Sequence, residues 1–285
     1  MQRSDFRFVC PLRVRWAEID AQNIVFNAHY LMYLDTAVMA YWRAMAVPYA
    51  TTLAALNGDL FVRKASLEYH GSARLDERID VALRCARVGN SSMQFEGGVF
   101  RQDTLLVGAE LIYVFADPVA KVPRPVPGPL RDALAAFEAG EPMTTLRVGT
   151  WTEVGALARD LRTRVFVQEQ GIAPELEWDE ADEAALHAVV VNRLGTAVAT
   201  GRLIEHGPGV ARIGRMAVRS ELRSEGLGRQ VLDALVNAAR QRGDRHAILH
   251  AQCSAADFYS RAGFVAEGER FEEAGIAHIQ MRRAL

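Results

Sequence analysis

Five prolines crowd the middle of this chain, Pro118, Pro123, Pro125, Pro127 and Pro129, and Gly140-Glu141-Pro142 follows soon after. Proline gives no N–H to a sheet ladder and disfavours helix at the residue before it, so no strand or long helix can run through this stretch. The last strand-like run of the first half therefore ends here. A short helix is expected at 129–139, and Leu146-Arg147-Val148 opens a new strand signal beyond the Gly-Glu-Pro break. We place a domain boundary near residue 142, which divides the chain into units 1–142 and 143–285. With 285 residues and half of the composition hydrophobic, each unit is long enough to bury its own core. No repeat with a period of roughly 20–50 residues relates the halves.

Hydrophobic periodicity separates them further. In the first half, Leu31, Leu34, Val38, Trp42 and Met45 recur at helical spacing through the apolar segment 28–45, which predicts a long helix buried on several sides. Strand-like runs lie around it at 8–16, 61–69, 78–88, 92–102 and 104–115. A strand, a long helix and then an antiparallel meander make an α+β arrangement in which a curved sheet wraps one helix. The second half alternates. It opens with strand 145–150 and helix 154–169, where Leu157, Leu161 and Val165 share one face, and strands 186–192, 197–205 and 211–218 follow. Helix 225–242 carries Leu227, Val231 and Leu235 on one stripe, and strand 247–251, short helix 255–261 and strand 276–281 complete a mixed α/β domain.

A formal charge of −2 and an isoelectric point near 6.4 give no basic excess, so nucleic acid is not an expected partner and small molecules are. Cys10, Cys85 and Cys253 are an odd, widely spaced set without a metal-ligand pattern, which predicts no disulfide framework, no metal and a reducing, cytoplasmic setting. Met1-Gln2-Arg3-Ser4-Asp5-Phe6 lacks the apolar core of a signal peptide, and no run of about 20 apolar residues is present, so no membrane partner is expected.

Asp20, followed by Ile24-Val25-Phe26 and Tyr30, then Tyr69-His70-Gly71-Ser72-Ala73 with Asp76, Val88-Gly89-Asn90-Ser91-Ser92 and Asp117-Pro118, forms an ordered series. Over residues 5–139 this series resembles the hotdog acyl-CoA thioesterases of the 4-hydroxybenzoyl-CoA thioesterase and YbgC type. The resemblance implies a hotdog fold, hydrolysis of an acyl-CoA thioester and a site completed across a dimer interface, hence a homodimer or tetramer through this domain. The residues agree with it. An aspartate just ahead of a buried helix can act as nucleophile or general base on a thioester carbon, while helix N–H groups polarise the carbonyl. Asp20 is the candidate catalytic residue; its plainer role is N-cap of the long helix. Asn23 stands where the family usually carries glycine, and because asparagine tolerates a left-handed backbone the turn can survive, with a side chain added beside the thioester. Asn27 occupies a position that can face substrate, and His29 reads as an ordinary helix-start residue.

The second half carries Arg164-Val165-Phe166-Val167-Gln168-Glu169-Gln170, Ile213-Gly214-Arg215-Met216-Ala217-Val218 and Arg223-Ser224-Glu225-Gly226-Leu227-Gly228. Phe258-Tyr259-Ser260-Arg261-Ala262-Gly263-Phe264 and Phe271-Glu272-Glu273-Ala274-Gly275-Ile276-Ala277-His278 follow. Over 145–285 these segments resemble the GNAT acetyltransferases, most closely their ElaA-like branch. The resemblance implies acetyl-CoA as cosubstrate and acetyl transfer to a small-molecule or peptide amine. R-x-x-G-x-G is weak alone, since any glycine-rich turn can precede a helix. Its place between a strand and an amphipathic helix gives it meaning, because successive N–H groups there can form an anion-binding nest for a pyrophosphate. Arg223, Ser224, Glu225, Gly226, Leu227, Gly228 and Arg229 are the expected cradle, and by resemblance Met216, Ala217 and Val218 pair their backbone with the pantetheine arm. By the same resemblance Tyr259 protonates the departing CoA thiolate; its plainer role is a core aromatic beside Phe258 and Phe264. The acceptor amine must lose a proton, for which Asp179, His187, Glu272, Glu273 and His278 are candidates. The acidic run 175–183 reads as a solvated loop more readily than as an attractor for a cationic acceptor.

Two coenzyme A modules in series make a bifunctional enzyme the leading expectation. One rival keeps the thioesterase and makes the second half a non-catalytic CoA-sensing module, against which the retention of Tyr259 counts. Another is an acetyltransferase whose hotdog half supplies dimerisation, and Asn23 favours it.

Overall fold

Large apolar residues recur every third or fourth position from Tyr30 to Met45 with no glycine or proline between them, so the segment coils into the 18-residue helix α1 (Asn27–Ala44). Tyr30, Leu34, Tyr41, Trp42 and Met45 are buried, whereas Met32 and Met39 on the other flank are about half exposed. In the single chain the helix is thus buried on one broad face, not on several sides. That face packs on a five-stranded antiparallel sheet ordered β1-β3-β4-β5-β2, built from β1 (Phe8–Arg13), β2 (Asp59–Tyr69), β3 (Arg78–Val88), β4 (Ser92–Arg101) and β5 (Thr104–Ala116). Gly97 of β4 permits the close approach: a Cβ there would lie 2.7 Å from Leu34 Cδ2 and 3.1 Å from Leu83 Cδ2. The first strand stops at Arg13 rather than at Trp16, because the Arg15 N–H donates to Glu18 Oε2 at 2.7 Å and turns the chain. Helix α2 (Tyr49–Ala55) went unforeseen, its seven residues being too few to show a period. After the prolines, α3 (Gly128–Glu138) docks on β3, where the Glu138 carboxylate accepts from the Tyr41 hydroxyl and, at 2.8 Å, from the Cys85 N–H beside a bulge. These elements belong to one of two compact units, Met1–Met143 and Thr144–Leu285, in a computed structural model that describes residues 1–285.

The second unit runs β6 (Thr144–Thr150), α4 (Trp151–Arg162), α5 (Pro174–Glu177), α6 (Ala181–Ala184), β7 (Leu186–Asn192), β8 (Ala197–Gly207) and β9 (Val210–Val218). Then come α7 (Leu227–Arg242), β10 (His246–Gln252), α8 (Ala256–Arg261), β11 (Val265–Glu273) and β12 (Ile276–Ala284). Its seven strands are ordered β11-β12-β10-β9-β8-β7-β6 and are antiparallel except for β9 and β10, which α7 connects. That parallel pair is registered over only three residues, from Val210↔His246 to Arg212↔Ile248, although both strands continue. Helix α4 begins at Trp151 instead of 154, since the Glu153 carboxylate accepts the Thr150 N–H at 2.8 Å, and from Thr163 to Glu169 the chain winds as a π-helix. Helix α7 starts at Leu227, the first residue of its apolar stripe and two residues after the expected 225, because a left-handed Gly226 precedes it. Strand β11 is exposed along almost its whole length and shows no apolar alternation, which is why the sequence hid it.

The acidic run is not a solvated loop. Glu177 and Asp182 are 2% and 4% exposed, and Arg162, 1% exposed, reaches both, with Nε 2.5 Å from Glu177 Oε1 and Nη1 2.7 Å from Asp182 Oδ1. Arg202 Nη1 lies 2.5 Å from Asp179 and 2.8 Å from Asp182, while Arg215 lies 3.2 Å from Glu177 and 3.1 Å from Asp179. Burial drives the Asp182 carboxyl up, but the hydrogen bonds and charge of Arg162 and Arg202 outweigh it and hold it below its ordinary value; Asp179 is lowered in the same way. At Glu177 burial prevails and the carboxyl is raised. Removing one partner of such a network strands buried charge. Arg162→Leu should therefore cost about 3–5 kcal/mol in urea unfolding of the full chain, and a loss below about 1 kcal/mol would refute the role given to the network. The lowered Asp179 and Asp182 add stability that is complete above the usual carboxylate range and is lost as pH falls through their folded values; the raised Glu177 opposes this at neutral pH and is relieved in acid.

Candidate active sites

Asp20 sits in a tight turn seven residues ahead of α1, whose N-cap is Phe26, so it does not cap that helix. Its N–H donates to the Ile24 carbonyl at 2.9 Å, its own carbonyl accepts from Asn23 at 3.0 Å, and Oδ1 accepts from the Gln22 N–H at 2.8 Å. The turn closes because Asn23 adopts φ +60, the left-handed backbone that asparagine tolerates better than most residues. Val25 then donates to the Ala73 carbonyl at 2.9 Å, the Ala73 N–H donates to the Tyr30 hydroxyl at 2.8 Å, and the Tyr69 hydroxyl donates to the Asn27 carbonyl at 3.1 Å. Two widely separated motifs, 20–30 and 69–73, are thereby tied into one site. It presents a half-buried carboxylate beside the start of a long helix, whose first N–H groups have no acceptor within the helix. His29 lies in the first turn of α1 with Nδ1 3.2 Å from Met32 Sδ.

In the second unit, β9 and β10 separate beyond Arg212 and Ile248, and a cavity of about 280 Å³ opens there. The separation coincides with a bulge on β9, where Arg215 takes φ +52 and the register against β8 shifts between Thr200 and Arg202. Met216 lines the cavity; Ala217 is buried in the core on the opposite side, and Val218 is partly buried. Beyond the strand, Ser224 at φ +72 and Gly226 at φ +80 alternate with a normal residue at Glu225, the backbone pattern of an anion-binding nest, and Leu227 and Gly228 open α7. Leu227 is buried, so only its backbone is available there. Arg223 pairs with Glu169 at 2.6 Å and Arg229 with Asp233 at 2.7 Å, both on the surface, where such pairs are worth about 0–1 kcal/mol and yield readily to a phosphate.

Tyr259 of α8 lines the same cavity, 8% exposed, with its ring edge-on to Phe258 and Phe264. Desolvation pushes its phenol up to about 12. Of the five candidate bases, the cavity gathers Glu273 and His278. His187 is buried elsewhere against the Asp182 carbonyl at 2.9 Å, Asp179 is held by Arg202 and Arg215, and Glu272 does not reach the cavity. The cavity adds residues that the sequence reading missed, Arg212, His250, Gln170 and Gln252 among them. The signals were Gln170 at the end of the 164–170 segment, and His250 and Gln252 on the same face of β10 as His246, opposite the apolar Ala247, Leu249 and Ala251.

Residues 158–285 match the acetyltransferase (GNAT) domain family, and residues 22–107 match the thioesterase superfamily. YjcF of Bacillus subtilis, named as an uncharacterized N-acetyltransferase, is 36% identical over 124 residues, which is 43% of this chain and 87% of that protein. Among solved structures, an acyl-CoA N-acyltransferase from Pseudomonas aeruginosa is 33% identical with a TM-score of 0.45, covering 50% of this chain and 99% of that one. A 1,4-dihydroxy-2-naphthoyl-CoA thioesterase from Synechocystis is 16% identical with a TM-score of 0.43, covering 46% of this chain and 97% of that one.

Gly226 has no atom within 4 Å of where a Cβ would sit, so its requirement for glycine is one of backbone conformation and not of space. Gly226→Val should distort the nest and lower acetyl-CoA affinity at least tenfold by calorimetry, about 1.4 kcal/mol, while Gly226→Asn, which tolerates the same φ, loses much less. Equal affinity in the valine variant would show that the turn does not hold the phosphates.

Proposed function

Because the chain belongs to the thioesterase superfamily through residues 22–107 and to the GNAT acetyltransferase family through residues 158–285, we propose that it is a bifunctional acyl-CoA enzyme. The first unit hydrolyses an acyl-CoA thioester. The second transfers acetyl from acetyl-CoA to the amine of a small molecule or peptide. The observation that carries the second activity is the joint presence, on one splayed strand pair, of a backbone nest and of a tyrosine lining the cavity between the strands.

In the first unit Asp20 attacks the thioester carbon or activates a water, and N–H groups at the start of α1 donate to the developing oxyanion. In the second, the nest of Ser224, Glu225 and Gly226 with the start of α7 holds the pyrophosphate, and the unpaired edge of β9 at Met216–Val218 runs along the pantetheine arm. The amine nitrogen attacks the acetyl carbon, the C–S bond breaks, and Tyr259 gives its proton to sulfur. A phenol near 12 is a weak acid for a thiolate in water. The same dry surroundings raise the basicity of a thiolate departing within them, which keeps donor and acceptor matched.

A homodimer through the first unit accords with β2, an 11-residue edge strand on which Val62 and Tyr69 are 55% and 51% exposed. No helix is long and apolar enough to cross a membrane. We place the protein in the cytoplasm, in keeping with its three free cysteines.

Asp20→Asn should nearly abolish thioester hydrolysis by the full chain and leave acetyl-CoA binding by the second unit intact; unchanged turnover would remove Asp20 from the mechanism and favour a dimerisation role for the first unit. Tyr259→Phe keeps the ring, so acetyl-CoA should bind as tightly as in the parent while amine acetylation falls by roughly 10²-fold. Acetylation at the parental rate would reduce Tyr259 to a packing residue.

A further inference from the structure

Transfer to an amine needs a group that takes the ammonium proton, and the residue facing that task was not among the candidates read from the sequence. His250 stands on β10 at the wall of the cavity that Tyr259 also lines. Its Nδ1 lies 2.9 Å from Glu273 Oε2 on β11 and 3.0 Å from Arg212 Nη2 on β9, and the ring is edge-on to Phe271 at 4.8 Å. His278 of β12, stacked on Phe271 with Nδ1 2.8 Å from the Ile276 carbonyl, also lines the cavity, as do Glu177 and Arg215, which pair with each other. Two opposite charges thus act on one imidazole nitrogen. A guanidinium can only donate and an ionised carboxylate can only accept.

Resting on the acetyltransferase reading, we propose that His250 is the catalytic base of the second unit and that Glu273 and Arg212 are its positioning residues. The imidazole Nε2 lone pair takes one proton from the acceptor ammonium. Both ring nitrogens are then donors, Nδ1–H is held by the Glu273 carboxylate, and the positive charge is balanced. Arg212 cannot donate to a protonated Nδ1, so it acts on the ring through its charge, opposing that of the imidazolium. The freed amine forms the C–N bond, the C–S bond breaks, and Tyr259 protonates the sulfur. The second proton that the nitrogen sheds on becoming an amide restores the Tyr259 phenol, so the net release is one proton. Hydrogen bonding to His250 and its charge hold the Glu273 carboxyl below its ordinary value despite the opposing effect of burial, which keeps it the anion this arrangement requires.

The two positioning residues predict opposite shifts, which a merely structural role does not. In an NMR titration of the full chain without acceptor, with the His250 signal assigned by its loss in His250→Gln, the His250 midpoint should fall in Glu273→Gln and rise in Arg212→Gln. No movement in Glu273→Gln, or the same direction in both variants, would overturn the arrangement. With a primary amine found by screening, His250→Gln should lose roughly 10²-fold in kcat/KM together with the acid limb of the rate profile, at unchanged acetyl-CoA affinity. Glu273→Asp should recover part of what Glu273→Gln loses. If Tyr259→Phe impairs transfer and His250→Gln does not, the base assignment is wrong and the acetyltransferase reading stands. A parent chain that acetylates no amine overturns both.

Discussion

The second unit depends on buried charge. Arg162 and Arg202 face Glu177 and Asp182 in an interior where none of the four would rest unpaired, and the partly exposed Arg215 and exposed Asp179 extend the network to the surface. The consequence for the sheet is mechanical. Arg202 lies on β8 and Arg215 on β9, so one set of carboxylates grips both strands on either side of their register shift. A non-glycine residue at φ +52 costs about 1–2 kcal/mol, and the Arg215 contacts to Glu177 and Asp179 offset it. The same arginine lines the cavity where β9 and β10 part. The acidic segment that looked like surface in the sequence thus holds a residue of the cavity wall.

Why that segment was misread is instructive. Its three paired carboxylates are spaced two and three residues apart, a pattern that solvated loops share, and the arginines that neutralise them come from α4, β8 and β9, as far as 38 residues away in sequence. Local sequence carries no trace of such pairings. Features that depend on neighbours along the chain were legible: the apolar stripe of α1, the stripe of Leu227, Val231 and Leu235 on α7, the left-handed turn at Asn23, and the strand-turn-helix setting of Gly226. Strand β11 was lost for the opposite reason. Residues such as Glu267, Glu269 and Arg270 face solvent, so no hydrophobic alternation announces a strand whose existence is owed to its pairing with β12.

The two sites also differ in how legible their chemistry was. Asp20 was visible through the ordered series of motifs it opens and its place ahead of the apolar stripe of α1, and the turn that holds it is closed by hydrogen bonds within residues 20–24. His250 was invisible because its partners stand on β9 and β11, on either side of it in the sheet topology, and a single histidine in a strand has no signature of its own. A side-chain cluster assembled from three strands is a property of the fold, whereas a turn is a property of five residues.

The three-residue pairing of β9 with β10 has one more implication. Past Arg212 the β9 backbone keeps donors and acceptors that no neighbouring strand uses, and any ligand amide that runs along them is recognised through main-chain atoms common to every residue type. The side chains of the same segment, from Ile213 to Met216, line the cavity beside it. If the second unit transfers acetyl as proposed, carrier and acceptor are read by chemically separable parts of a single strand. Substitution along this edge can alter which amine fits while the grip on the carrier persists, so that acceptor choice is free to diverge among proteins that share the same cosubstrate.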